Sequence, residues 1–228
     1  MQQLPLPIGV ATGAGATFEN FEVGDNVALV NHLRSMHTPG PPVFLWGSGG
    51  CGKTHLLRAL ARQQADNGGV AAWFDAATAV PWDVGSATTL IVLDDCDGFD
   101  PAQQHEAFTL FIHAASHAVQ VVGAASMPPV DLQVRDDLRT RLGWGLVFAV
   151  APLNEASARS TLRREADRRG IVLSDDVMNY WLTHFDRDLK SLVSMLDRVD
   201  GFALAHQRAV TVPLIRQMLS EERDGGRL

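Results

Sequence analysis

Gly47-Ser48-Gly49-Gly50-Cys51-Gly52-Lys53-Thr54 fits the pattern GxxxxGK[ST] in full. Glycines at these places let backbone N–H groups turn inward, and a ring of such donors suits the oxygens of a phosphate chain. Lys53 is spaced to reach the β- and γ-phosphates, and Thr54 to ligand Mg²⁺. Further on, Leu90-Ile91-Val92-Leu93-Asp94-Asp95 is an apolar run ending in two carboxylates. Asp94 would hold Mg²⁺ through water, and Asp95 would orient or activate an attacking water. Ser126 ends another apolar run and offers a hydroxyl to the γ-phosphate or to that water. A phosphoryl-transfer transition state gathers negative charge, and an arginine can answer it, even from a neighbouring subunit. Arg141, just before Gly143-Trp144-Gly145, is the candidate.

These groups need elements to carry them. Val43–Trp46 reads as a short buried strand ahead of the glycine-rich loop. Thr54–Asn67 reads as a helix behind it, with Leu56, Leu57, Leu60 and Ala61 on its apolar face. Further strands are expected at Val70–Phe74, Leu90–Leu93, Val119–Ala125 and Leu146–Val150, and a helix at Ala102–Ala118. Strands alternating with helices imply a five-stranded parallel sheet covered on both faces. After Pro152 the pattern is helical only. Asn154 caps Glu155–Arg169, Ser174 caps Asp175–Thr183, Asp186–Gln207 is long and amphipathic, and Val212–Glu221 starts near Pro213. The expected organisation is a tail over residues 1–16, an α/β domain over 17–151, a small helical domain over 152–221 and a second tail over 222–228.

Composition narrows the partners. A chain of 228 residues with 19 Lys and Arg against 26 Asp and Glu has a net charge of −7. That balance speaks against strong direct binding to DNA, which needs a basic footprint. Cys51 and Cys96 lack the spacing of a disulfide framework or zinc site. Cys51 reads as a small residue at a variable loop position rather than a redox centre. His113 and His117 stand at i, i+4, but no HExxH surrounds them, so they read as a polar helix face. No apolar run approaches membrane-spanning length, and the first residues lack the basic and apolar regions of a signal peptide. No membrane partner is expected, and a cytoplasmic location is.

Arg141-Leu142-Gly143-Trp144-Gly145 resembles the box VII segment of the bacterial replication proteins DnaA and Hda, a family of AAA+ ATPases. Phe18-Glu19-Asn20-Phe21 with Gly24-Asp25-Asn26 carries the same resemblance, which extends over residues 17 to 220. It implies a P-loop AAA+ core followed by a helical lid, with ADP or ATP and Mg²⁺ bound. It also implies that Arg141 is an arginine finger and that the Phe18–Asn26 segment leads into an adenine pocket. At the sensor 2 position of the lid, where the family usually has Arg, the reading places Lys190, which keeps the charge but loses the bidentate fork.

Within that family, two features separate initiators from regulators. The chain ends soon after its last expected helix, so no DNA-binding domain is expected after the lid. Only Asp75–Thr89 separates the second strand from the acidic one, which is short for the helical pair that initiators insert there. Gln3-Leu4-Pro5-Leu6-Pro7 resembles the QLxLP clamp-binding motif of Hda proteins, with Gln3, Leu4, Leu6 and Pro7 as the contacting residues. An extended peptide with a hydrogen-bonding amide, two Leu side chains and stiffening prolines suits an apolar pocket. The resemblance therefore implies a negative regulator of replication initiation. Its expected partners are DnaA and the sliding clamp, the β subunit of DNA polymerase III, with a homodimer left open. Its own ATPase would be weak, because it acts on ATP held by DnaA. A helicase loader of the DnaC type, working as a DNA-dependent ATPase, is the alternative. A small-molecule P-loop kinase fits less well with Asp94-Asp95, Arg141 and the helical lid.

Overall fold

The computed structural model describes residues 15–185 and 188–225, without the side chains of residues 189, 190 and 223–225. The chain forms two compact units. One gathers the described residues up to Phe21 with Ala28–Trp46 and Lys53–Ala149, and the other gathers Glu22–Val27, Gly47–Gly52 and the chain from Val150 onward.

The first unit is built on five parallel strands: β1 (Val43–Trp46), β2 (Val70–Phe74), β3 (Thr88–Leu93), β4 (Gln120–Ala125) and β5 (Leu146–Ala149). They lie in the order β2-β3-β4-β1-β5. β4 is buried along its whole length, which explains a sequence (Gln-Val-Val-Gly-Ala-Ala) with no polar alternation. Gly123 is part of that packing, because a Cβ there would meet the Phe44 ring at 3.1 Å. Helix α1 (Val27–Ser35) precedes β1, and α2 (Lys53–Asp66), α3 (Pro101–His117) and α4 (Asp136–Leu142) join β1 to β2, β3 to β4 and β4 to β5. α2 packs on β2 and β3 through Leu56, Leu57 and Leu60, all 0% exposed.

α3 starts in a capping box. The Asp100 carboxylate accepts from the backbone of Ala102 and Gln103, and the Gln103 side chain accepts from the N–H of Asp100. Gln103 also donates to the carbonyls of Ala76 and Thr78, both at 3.0 Å. It thereby ties down residues 75–87, which carry no helix. Trp82 closes that segment onto the core, stacked on Phe74 at 4.8 Å and edge-on to Phe99 at 5.2 Å.

The second unit contains α5 (Glu155–Arg168), α6 (Asp175–His184), α7 (Leu189–His206) and α8 (Val212–Gly225). Asn154, Ser174 and Asp188 cap the first three by accepting from the backbone N–H three residues on. Their apolar faces meet around Leu162, Met178, Trp181, Leu196 and Ile215.

Several elements differ from the sequence reading. α1 and α4 were not expected as helices. Each is short, and each is held by a few apolar residues at helical spacing: Leu29, Val30 and Leu33 in one, Leu138 and Leu142 in the other. β3 begins at Thr88 rather than Leu90 because Thr88 and Leu90 both pair with β2. α7 runs from Leu189 with the Asp188 carboxylate as its cap, and the expected start at Asp186 lies outside the described residues. α8 runs past Glu221 to Gly225.

Candidate functional site

Lys53 and Thr54 open α2, and Asp94 directly follows β3. The Thr54 hydroxyl donates to the Asp94 carboxylate at 2.8 Å. The N–H of Asp94 donates to the Phe74 carbonyl at 2.9 Å, which fixes the end of β3 against β2. Asp94 is 4% exposed. Burial pushes its carboxyl above the usual carboxylate range. The Thr54 hydrogen bond opposes the rise, the neighbouring Asp95 charge adds to it, and Lys53 opposes it. A hydroxyl and a carboxylate in contact beside a lysine form a donor set that suits Mg²⁺ held largely through water. Asp95 is exposed and left-handed, with φ 52° and ψ 48°. Asp tolerates this region better than most residues, so the turn forms at modest strain.

The loop Gly47–Gly52 belongs to the second unit and runs straight into α2. Gly50 and Gly52 have φ of +75° and +103°, values that glycine alone adopts cheaply. A Cβ on Gly47 would come within 2.7 Å of the Val150 carbonyl oxygen, and one on Gly50 within 2.5 Å of the Asp188 side chain. Gly49 has open space around it. In the same unit a cavity of about 850 Å³ is lined by Ser48, Gly50, Asp188 and Arg198 on its polar side and by Phe185 and Met195 on its apolar side. Its size and mixed lining suit a nucleotide-sized ligand. A second cavity, about 730 Å³, lies along α5 among Arg159, Arg163, Arg164 and Arg168. Each of these guanidiniums is paired with a carboxylate, from Glu155, Asp175, Glu22 and Glu165 respectively, so the groove carries little net positive charge.

Ser126 follows β4 directly, and its hydroxyl donates to the Asp97 carboxylate. Arg141 lies in the last turn of α4. Its guanidinium carbon stands 4.9 Å from the centroid of the Trp144 ring. The other arginines of this region are engaged: Arg135 pairs with Asp137, and Arg139 with Asp136. Among the described residues no carboxylate pairs with Arg141. The backbone of Lys190 falls in the first turn of α7, and its side chain lies outside the described residues. Gln3, Leu4, Leu6 and Pro7 also lie outside them.

A family profile described as "Hda, lid domain" matches residues 155–219, the span of α5 to α8 up to Leu219. The chain is also 32% identical over 231 residues to an uncharacterized protein of Haemophilus influenzae, covering 96% of this chain and 99% of that one. It belongs to the Hda/DnaA-like AAA+ family. Domain III of the replication initiation protein DnaA from Thermotoga maritima shares the AAA+ fold. That likeness has a TM-score of 0.75 at 20% identity over 92% of this chain and 97% of that one. AMPPCP-bound DnaA from Aquifex aeolicus gives a TM-score of 0.72 at 20% identity, covering 93% and 71%. A solved DNA replication initiation factor gives 0.70 at 20% identity, and the chain spans 65% of its length.

Three residues of this Hda/DnaA-like chain have structural roles that the sequence reading did not assign. Asp97 engages both the hydroxyl and the N–H of Ser126. Asp188 caps α7 and packs on Gly50. Asn26 makes a paired hydrogen bond with the backbone of Ala151, donating to its carbonyl at 2.9 Å and accepting from its N–H at 2.8 Å. The Asn26 signal was present in the Gly24-Asp25-Asn26 motif. Asp97 had none, since an acidic residue in a strand-to-helix turn is ordinary. No helix among the described residues is long and apolar enough to cross a membrane.

Proposed function

We propose that this protein is a negative regulator of chromosomal replication that accelerates hydrolysis of ATP bound to DnaA. The observation that carries this reading is Arg141, a cation with no carboxylate partner among the described residues, at the end of α4 in a family-typical Arg-Leu-Gly-Trp-Gly turn. The Hda-type lid and the DnaA-like fold support it. In a partner's site, water attacks the γ-phosphorus, the bond to the β-phosphate oxygen breaks, and ADP and phosphate leave. Arg141 would answer the charge that builds up on those oxygens, a contribution of about 10³ to 10⁵-fold in related phosphoryl transfers.

The chain's own nucleotide, ADP or ATP, would have a structural role. The loop Gly47–Gly52 would cradle its phosphates, Lys53 would neutralise them, and Thr54 with Asp94 would hold Mg²⁺ through water. A DnaA of the same fold holds AMPPCP, which supports nucleotide binding here. Asp95 and Ser126 would orient water for a slow intrinsic turnover, and Lys190 would supply the charge of the family's sensor 2 Arg without its bidentate fork. Gln3, Leu4, Leu6 and Pro7 would dock on the sliding clamp, which concentrates the regulator on replicated DNA.

Binding to the clamp of the same organism tests the tether, using wild type and a Gln3→Ala, Leu4→Ala variant. Micromolar or tighter binding that the variant loses is expected. Equal binding by both would place the contact elsewhere, and absence of binding would remove the clamp from the proposal.

A further inference from the structure

We infer that Trp144 is a positioning residue for Arg141, holding the guanidinium in one orientation against the indole before any partner arrives; this rests on the reading of Arg141 as a finger. Trp144 is 67% exposed, unusual for the largest apolar side chain. The turn that carries it is fixed from both ends. Leu138 and Leu142 anchor α4 in the core, at 0% and 2% exposure. On the other side the N–H of Leu146 donates to the Pro42 carbonyl at 2.8 Å. Gly145 is pressed so closely on Pro42 that a Cβ would fall 1.8 Å from its oxygen. The N–H of Trp144 donates to the Arg141 carbonyl at 3.3 Å, closing the turn.

Folding therefore does not require an indole at the apex of this turn. What the indole does touch is Arg141, whose guanidinium carbon lies 4.9 Å from the ring centroid. That is within the range of a cation–π contact. A free arginine samples many rotamers and would have to be ordered when it enters a partner's site, at a cost in rate. Stacking on a rigid ring orders it in advance while leaving its N–H donors unused by any carboxylate among the described residues. Arg135 and Arg139, on the same segment, spend theirs on Asp137 and Asp136. The contact is exposed, so its contribution is small, equivalent to about two- to fivefold.

The test is single-turnover hydrolysis of DnaA-bound ATP, with clamp loaded on DNA, as the regulator is titrated. Trp144→Leu should lower the maximal rate about two- to fivefold with the half-saturating concentration unchanged, and Trp144→Phe should restore most of it. In an Arg141→Ala background Trp144→Leu should cost nothing more. In the isolated protein the Trp144 indole N–H resonance should move on Arg141→Ala. A loss confined to the half-saturating concentration, or persisting in the Arg141→Ala background, would make Trp144 a docking residue and overturn the inference. So would a Trp144→Leu maximal rate equal to wild type, or an indole resonance that does not move. If Arg141→Ala itself stimulates like wild type, the finger reading fails first, and that result is separate from any Trp144 effect.

Discussion

Gly145→Ala should be far more damaging than Gly143→Ala, although both glycines flank the same tryptophan. A Cβ on Gly145 would stand 1.8 Å from the Pro42 carbonyl oxygen and 2.7 Å from its carbon, both backbone atoms. Real contacts of this kind stay beyond 3.0 Å, so the turn must move by about 1 Å or more. Overpacking of this sort costs about 1–3 kcal/mol. The adjacent hydrogen bond from Leu146 to Pro42, 2.8 Å long, opens the pairing of β5 with β1, and straining it adds about 0.5–1.5 kcal/mol. A total of about 1.5–4.5 kcal/mol corresponds, at this chain length, to a drop in Tm of about 3–18 °C. Gly143 has φ −87°, and the nearest atom to its Cβ would be the Pro129 Cβ at 3.5 Å, an ordinary contact. Gly143→Ala should shift Tm by no more than about 2 °C. Thermal denaturation followed by circular dichroism compares the two. Equal Tm values for Gly145→Ala and wild type would refute the claim that the turn is clamped on Pro42.

Asp94→Asn should stabilise the nucleotide-free protein and weaken Mg²⁺-dependent nucleotide binding. The folded-state pKa of Asp94 is raised, so the penalty of holding it ionised is fully present above that value. The penalty fades as pH falls toward the unfolded value. The gain in Tm from Asn should therefore be largest near neutral pH and shrink in acid, and a loss of Tm at neutral pH would contradict this. Burial pushes the Cys96 thiol far above the ordinary range and leaves it 0% exposed. Disulfide exchange with a small aromatic reagent should thus modify it only as fast as the protein unfolds. Trp181 is 0% exposed, and its indole N–H has no partner in the helical core. Trp181→Phe trades lost volume for removal of an unpaired donor and should change stability by under about 1 kcal/mol. A urea titration showing a loss above about 3 kcal/mol would point to a hidden partner for the indole.

The sheet was legible because four of its five strands are short apolar runs bounded by glycine or acidic residues, and in the inner strands β1, β3 and β4 burial on both faces removes the need for alternation. The capped helices were legible through Asn154 and Ser174, whose side chains do accept the expected backbone N–H groups. α1 and α4 were not, because nine and seven residues give too few turns for a period to stand out. The Thr54–Asp94 contact followed from the motif. The Asp97–Ser126 contact depends on how β4 and the turn after β3 meet in space, which no local pattern encodes. Arg159 and Arg168 pair locally within α5, but the pairing of Arg164 is likewise a tertiary fact, since it finds Glu22 across 142 residues of sequence.

The measurement closest to the central claim is hydrolysis of ATP pre-bound to DnaA, followed in a single turnover with clamp-loaded DNA and this protein, wild type or Arg141→Ala. Strong acceleration by wild type, lost by a factor of about 10³ or more in a variant that still binds nucleotide and clamp, is the predicted result. Acceleration by Arg141→Ala equal to wild type would contradict it.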